Sequence, residues 1–403
     1  MILRWLLFVA FMLFLQWYSL QALKTIVKAQ SIHWLYTAIS SIIIIQFVVG
    51  ITYEIGFNYV FPSLLLLVIF QLLIIPFVFI EDIARVLIYC FNYVGGFFNG
   101  VKTVNFIERR KFISQLAILV ASIPVSALLV GIFWGKYNFK LITHKLNFKN
   151  LPDGFDDFTI VHVSDFHMGS FTNIEKVKYG FDLIQQQNAD VILFTGDMVN
   201  NLASELDSWK EIIGGLNAKY GKFSILGNHD YGDYTSWDSE EEKLANFKRL
   251  KDIQKEMGFK LLLNESISIE KNSAKIDLIG VENWGNGFKK KGDLDKALLN
   301  SNDNSFKILM SHDPSHWEEI VLNHNQHIDL TLSGHTHGMQ FGIEIPGLIK
   351  WSPAKYKYKY WAGIYKENNK LINVNRGFGV LAYPGRVGIY PEITVLKLKK
   401  TIT

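Results

Sequence analysis

The chain has 403 residues, 49% of them hydrophobic and only 19% charged, with a net charge of +4. That length allows two or three ordinary domains, and the shortage of charge falls almost entirely on the first third. The mild basicity, with no basic stripe interleaved with aromatics, gives no reason to expect nucleic acid; the single cysteine, Cys90, excludes intrachain disulfides and cysteine-based zinc sites.

No charged residue occurs within Trp5–Leu23, Ala29–Tyr53, Ile55–Ile80 or Phe112–Phe133. A helix needs about 20 residues to cross a hydrocarbon core of roughly 30 Å, so spans are predicted near 5–23, 31–53, 59–80 and 112–133, in an all-α transmembrane region covering 1–140. Gly50–Pro62, with Glu54, reads as the tight connection between the second and third spans. Four such runs exclude the helical core of a soluble protein. The first run is too long for a signal-peptide core, and no small-x-small cleavage site follows it. Residues 83–101 are apolar enough for an interfacial helix or an additional pass. Lys24 and Lys28 stand in the first loop, and Arg85, Lys102, Arg109, Arg110 and Lys111 in the third, against Arg4 alone on the other side before the domain begins, although Lys136, Lys140, Lys145 and Lys149 follow the last span closely. Positive residues stay in the cytoplasm, which places the C-terminal domain outside it.

After Lys140 the composition changes, and 141–403 reads as a second domain. Buried strands are predicted at 158–164, 190–197 and 222–230, alternating with helices at 174–187, 204–218 and 239–257. Further strands follow near 259–263, 266–270, 275–281, 306–311, 328–333 and 393–399. Strand–helix alternation that returns to strands indicates an α/β fold with a mixed sheet or two sheets.

The informative polar residues stand where these strands end, which is where α/β folds gather active sites. Asp165 and His167 follow the first strand, Asp197 the second, and Asn228, His229 and Asp230 the third. His312 follows FKILMS, and His335 and His337 follow DLTLS. Mixed carboxylate and imidazole donors suit Mn, Fe, Zn or Ni better than Ca or Mg. Four ligands satisfy a tetrahedral ion, so a set this large implies two divalent ions, with one carboxylate shared. Such a pair activates a hydroxide and clamps a phosphoryl group. Motifs for a serine or cysteine nucleophile or a Walker-type phosphate loop are absent.

The order SDFH, GDMVN, GNHD, SHDP and GHTH, over about 160–400, resembles the calcineurin-like metallophosphoesterase superfamily. The tail segments YWAGIY, NRGFG, PGRVG and PEITVLKL resemble its bacterial membrane-associated or exported branch, some of whose members act on lipid-linked phosphates. The resemblance implies a four-layer α/β/β/α sandwich with two mixed sheets, in a multi-pass protein of the bacterial cell membrane. It assigns Asp165, His167 and His337 to one metal, Asn228, His312 and His335 to the other, and Asp197 to the bridge. His229 becomes the proton or hydrogen-bond donor at the phosphate, and Asp230 the residue that orients it. Related sequences often read GDLVD where this chain has Asn200, and GHTHGGQ where it has GHTHGMQ; Asn serves at 200 if that residue only orients a neighbour.

Other features have plainer readings. His162 is expected in the core, and His316, His324 and His327 at structural or surface positions. Arg376 and Arg386 are candidates for binding substrate phosphate, with structural ion pairs as the alternative. The tyrosines and tryptophan of 356–361 are candidates to rest on the bilayer, and the Trp284–Phe288 loop to line the site mouth. The expected function is hydrolysis of a phosphoester or pyrophosphate in a small molecule, a lipid or a lipid precursor. The competing readings are a catalytically inactive membrane sensor or scaffold on the same fold, and a transporter with a regulatory domain. The second is disfavoured by spans with almost no charge inside.

Overall fold

The computed structural model describes the chain except for Met1, residues 53–56 and 96–105, Pro346 and residues 402–403. It divides into two compact units, Met1–Val130 and Gly131–Thr403.

The first unit is built from α1 (Ile2–Ile26), α2 (Gln30–Thr52), α3 (Phe57–Gly95) and α4 (Phe106–Phe133). All four carry a stretch long and apolar enough to cross a membrane. Leu6, Trp34, Ile45 and Leu119 face outward, exposed. Inside, Met12, Leu15, Ile44, Leu64 and Leu67 form one cluster, and Ala22, Ile74, Val78, Ala117 and Ala121 another. Small residues in the second let backbones approach, because lipid supplies no hydrophobic drive between helices. Polar side chains also turn inward: Gln16 Nε2 donates to the Thr37 carbonyl (3.0 Å), and the Tyr36 hydroxyl meets Ser19 (2.6 Å) and Gln71 Nε2 (3.0 Å). Residues 83–95 are neither a separate interfacial helix nor a further pass. They continue α3, whose 39 residues extend about 58 Å, well beyond a hydrocarbon core of roughly 30 Å. The buried Glu81 carboxylate, one span-length along α3, accepts from Arg85 (2.6 Å), Arg109 (3.1 Å) and Arg110 (3.0 Å). The connection around Glu54 and residues 96–101 lie outside the described residues.

The second unit begins in the last turn of α4, earlier than the composition change near Lys140. Gly131 O accepts from Arg386 N (3.2 Å), so this turn packs as part of the globular unit. Its strands are β1 (Lys140–Phe148), β2 (Thr159–Val163), β3 (Val191–Phe194), β4 (Lys222–Ser224), β5 (Phe259–Leu261), β6 (Glu265–Lys271), β7 (Ala274–Gly280), β8 (Phe306–Met310), β9 (Leu330–Ser333), β10 (Ile343–Ile345), β11 (Ile349–Trp351), β12 (Gly363–Glu367), β13 (Lys370–Val374) and β14 (Glu392–Lys400). Its helices are α5 (Ile174–Gln185), α6 (Lys210–Gly214), α7 (Glu240–Glu256), α8 (Leu294–Leu298) and α9 (Pro314–Glu319). One six-stranded sheet has the order β1-β14-β2-β3-β4-β5, the other β12-β13-β9-β8-β7-β6. Both are mixed: β14 runs antiparallel to β2, β12 to β13 and β6 to β7, and the other neighbours are parallel.

Ile160, Leu193, Ile225 and Leu396 from the first sheet meet Leu278, Ile308, Met310 and Leu332 from the second in one core. The outer face of the first sheet is covered by Phe181, Ile184, Ile213 and Ile253 of the helices, and that of the second by Leu294, Leu298 and Trp317. This is the four-layer α/β/β/α sandwich. The inter-sheet core brings the C-terminal ends of β2, β3 and β4 opposite those of β8 and β9. Leu332→Ala, which hollows that core one residue before the β9 loop begins, is expected to cost about 2–5 kcal/mol, read from denaturant unfolding of the full chain in detergent.

Candidate metal centre

Five of the seven candidate ligands leave their strands through sharp reversals. Asp165 (φ 53°), His167 (45°), Asp197 (60°), His335 (70°) and His337 (50°) all adopt left-handed backbone conformations. Such conformations cost a non-glycine residue on the order of 1–2 kcal/mol each and persist only where the surroundings enforce them. They fold the side chains back over the strand ends. Glycines beside them make room for the carboxylates: a Cβ at Gly334 would lie 2.3 Å from Asp165 Oδ2, and one at Gly227 2.2 Å from Asp197 Oδ1. His335 N donates to both Asp165 oxygens (3.1 and 3.0 Å), joining the loops of the two sheets.

Two donor groups result. The ligand atoms of Asp165, His167 and His337 lie within 4.8 Å of one another, as do those of Asp197, His312 and His335. Asp197 Oδ2 stands 3.1 Å from His312 Nε2 and 3.6 Å from His167 Nε2, between the two groups. Asn228 is buried, donates from Nδ2 to the Tyr234 hydroxyl (2.9 Å), and leaves Oδ1 without a hydrogen bond. His167 Nε2 and His337 Nε2 are buried and equally without hydrogen bonds. A buried polar atom left unsatisfied costs about 1–3 kcal/mol. Lone pairs of this type, oxygen and imidazole nitrogen with no thiolate, fit divalent transition-metal ions.

The outer ring nitrogens are held by oxygens. His312 Nδ1 lies 2.7 Å from the Thr195 carbonyl, and His167 Nδ1 3.1 Å from Asn200 Oδ1. Donation from Nδ1 leaves each Nε2 lone pair facing inward, as a ligand requires. His335 is reversed: Nε2 meets the Tyr358 hydroxyl (2.9 Å) and Asp313 Oδ2 (3.4 Å), while Nδ1 faces His312 Nε2 (3.3 Å). Burial pushes His335 down to about 4 and His167 well below its usual value, which keeps both rings neutral. Burial would raise Asp165 and Asp197, yet the facing imidazoles, His337 for the first and His312 for the second, hold both well below the carboxylate range. Against its own burial, His312 rises to about 10 beside Asp197. The pocket therefore attracts positive charge.

Residues 3–136 match the family described as "Probable Calcineurin-like phosphoesterase, transmembrane domain", and residues 158–339 match "Calcineurin-like phosphoesterase". The chain is 32% identical to the uncharacterized metallophosphoesterase YkuE of Bacillus subtilis over 266 residues, 64% of this chain and 85% of that protein. It belongs to the calcineurin-like metallophosphoesterases. Phosphodiesterase YaeI of Escherichia coli is 27% identical, over 72% of this chain and 99% of its own length. UDP-2,3-diacylglucosamine pyrophosphatase LpxG of Chlamydia trachomatis is also 27% identical, over 57% of this chain and 81% of that protein. This metallophosphoesterase is thus a membrane protein and a hydrolase of phosphoester bonds, and its family uses divalent metals.

Within the metallophosphoesterase site, several assignments change. Asp230 does not touch the His229 ring. Its carboxylate accepts from the backbone N–H of Asp197 (2.9 Å), Met198 (2.8 Å) and Gly227 (2.9 Å), fixing the loops that carry Asp197 and Asn228. His229 is oriented by the Asn200 carbonyl, 2.8 Å from Nδ1. Neither arginine presents its guanidinium to substrate. Arg376 is paired with Glu392 (2.5 Å) and Glu344, and Arg386 is fully buried, donating to the carbonyls of Arg376 (2.7 Å) and Gly379 (2.6 Å) and lying 3.2 Å from His337 Nδ1. Tyr360 and Trp361 are buried in the domain, so the 356–361 segment is not a bilayer face as a whole. His162 is in the core, between Thr195 Oγ1 (2.9 Å) and Asn373 Nδ2 (2.8 Å). Phe288 stands edge-on to His335 and Tyr234 lies against His229, with ring centroids 4.8 and 4.4 Å apart, so both line the mouth.

Tyr358 and Asp313 are the site residues that the sequence reading missed. Asp313 sat in the quoted SHDP, but Tyr358 offered only its place in an aromatic run. Tyr358→Phe is expected to weaken metal affinity about 10–100-fold by freeing His335, measured by titrating metal into the full chain. Asn200→Asp keeps an oxygen against His167 Nδ1 and is expected to retain metal in the same titration.

Proposed function

We propose that the globular unit is a dinuclear metal-dependent phosphohydrolase acting on a phosphoester or pyrophosphate of a membrane lipid or lipid precursor. It works at a bacterial cell membrane, with its catalytic unit on the extracytoplasmic side. The observation that carries the metal reading is the convergence of six donors in two groups, in which His167 Nε2 and His337 Nε2 are buried without hydrogen bonds, as is the Asn228 Oδ1 offered by the β4 loop. Asp165, His167 and His337 would hold one cation, Asn228, His312 and His335 the other, with Asp197 shared. Two such cations supply an activated water at neutral pH and neutralise the charge on the phosphoryl group.

The remaining residues bind and move protons. The ring of His229 is half-buried, and its Nδ1 donates to the Asn200 carbonyl. This leaves Nε2 to carry the transferable proton of the imidazolium to the departing oxygen. His229 N donates to Asp197 Oδ1 (2.8 Å), so the proton donor and the shared carboxylate are set by one turn of chain. The lipid reading draws support from the membrane-spanning helices and from LpxG, the relative named for a diacylated substrate. A catalytically inactive sensor is the alternative reading. The full donor set together with His229 speaks against it.

The test uses the full chain in detergent, loaded with Mn²⁺. It is assayed on a phosphomonoester, a phosphodiester, a nucleotide-diphospho compound and a lipid-linked pyrophosphate. Turnover should vanish with chelator and with Asp197→Asn. His229→Ala should lower kcat by about 10²–10³ while metal content is retained. Equal turnover with and without bound metal would overturn the mechanism, and full metal content with no turnover on any substrate would favour the sensor.

A further inference from the structure

Six residues beyond His337 the chain forms the two-stranded hairpin β10–β11, which belongs to neither large sheet. Its alternation is inverted relative to a hairpin of a soluble protein. The polar side chains turn toward the domain: Glu344 pairs with Arg376, and Lys350 Nζ donates to the Ala362 carbonyl (2.8 Å). The apolar ones turn away. Ile343, Ile345, Leu348 and Ile349 are exposed, Leu348 by 79%, and Met339 and Phe341, on the chain between His337 and the hairpin, are exposed as well. A contiguous apolar surface of this kind on a short strand pair is an interaction site or an aggregation hazard.

Contacts at the base of the hairpin say what covers it. Val387 N donates to Gln340 O (2.8 Å), and Gly342 N to Val387 O (2.9 Å). The neighbouring Arg386 N donates to Gly131 O (3.2 Å), in the last turn of α4. A Cβ on Gly135 would lie 2.0 Å from Arg386 O, and one on Gly385 2.7 Å from Gly131 C, so the two backbones are in direct contact. One loop, 385–387, is thus bonded both to the end of the last membrane span and to the foot of the hairpin. Trp134, 55% exposed where the chain leaves that span, is of the type that settles at headgroup depth. Lys355 and Lys357 are exposed just beyond β11, where basic side chains meet anionic headgroups.

We propose that the β10–β11 hairpin, with Met339 and Phe341, is a bilayer-contact surface that lies in the lipid interface beside the exit of the last span. The occupant is the membrane, because the surface is continuous with a segment already committed to it. Since the loop carrying His335 and His337 runs directly into the hairpin, the docking would turn the metal centre toward headgroup phosphates. That consequence rests on the lipid reading of the substrate; the docking itself does not.

The experiment uses the full chain with Cys90→Ser, reconstituted in vesicles of phosphatidylethanolamine and phosphatidylglycerol. A polarity-sensitive fluorophore is attached through Leu348→Cys or, as a control of equal exposure (78%) on α8's far end, Leu299→Cys. Emission from position 348 should be blue-shifted and quenched by spin-labelled lipid, and that from 299 should not. Equal, water-like emission at both positions would overturn the proposal. So would a shielded label at 348 that lipid does not quench but that transfers energy to a second labelled copy, which would make the surface a dimer contact. In parallel, Leu348→Glu should lower turnover of vesicle-borne substrate about tenfold, the equivalent of one lost apolar contact, and leave a soluble phosphoester unaffected. Lipid quenching at 348 with equal turnover of both substrates would keep the docking surface and overturn the lipid reading of the substrate.

Discussion

Two carboxylates and four imidazoles, all buried but the partly exposed His335, converge at the end of the sandwich, and most of the local structure follows from making that tolerable. Asp165 and Asp197 are held well below the carboxylate range, chiefly by His337 for the first and His312 for the second, so two carboxylate charges are buried together. Burying unpaired charge is among the most costly things a fold can do. Divalent cations bound there, as proposed, would resolve the conflict and at the same time satisfy the nitrogens of His167 and His337 and the oxygen of Asn228, all buried without hydrogen bonds. The strained backbone at five of these residues is consistent with the same demand, since left-handed turns bring donors from the ends of three strands, β2, β3 and β9, within reach of shared points. The strain is maintained by the core beneath, where both sheets are locked by one continuous apolar layer.

Around the donors a second set of contacts fixes direction. Asn200 serves twice, its side-chain oxygen on His167 and its carbonyl on His229, so one residue couples the orientation of a candidate ligand to that of the proposed proton donor. A neutral amide suffices for this, because the task is to accept N–H bonds. Asp230 performs the corresponding work on the backbone. Burial and the nearby Asp197 push its carboxyl up to about 7, while N–H donors at Gly227 and Met198 pull it down. A neighbouring cation would tip that balance toward the carboxylate, the form those donors need.

The legible part of the site was the part written in local sequence. Asp165, Asp197, Asn228, His312, His335 and His337 each follow a recognisable buried strand within a few residues, and a strand end is a position that pattern can locate. The illegible part lay in partners far apart along the chain. Tyr358 is 23 residues from His335, and Asn373 is 211 from His162. The two arginines carried two readings, phosphate binding and a structural ion pair, and the partners that separate them are distant in sequence: Glu392 and Glu344 pair with Arg376, and a ring of carbonyls surrounds Arg386. The strands β1 and β10 to β13 escaped for a related reason. β1 mixes Lys, His, Thr and Asn among its apolar residues without strict alternation and is fixed by its parallel pairing with β14, and β10–β11 presents its isoleucines outward.

The buried Arg386 links these observations. Its guanidinium fills the space between the 376–379 loop and His337, and its backbone is bonded to the last turn of α4. Replacing it with lysine would remove the planar fork that reaches several carbonyls at once, loosening the position of His337 without removing a ligand. From Gly131 to β1 the chain has no free linker: a short turn, Gly135–Tyr137, leads directly into a strand of the main sheet. A flexible tether would raise the local concentration of membrane-borne substrate while leaving orientation to chance. A bonded exit instead ties the loop that carries Arg386, and through its guanidinium the ring of His337, to the backbone of the last turn of α4.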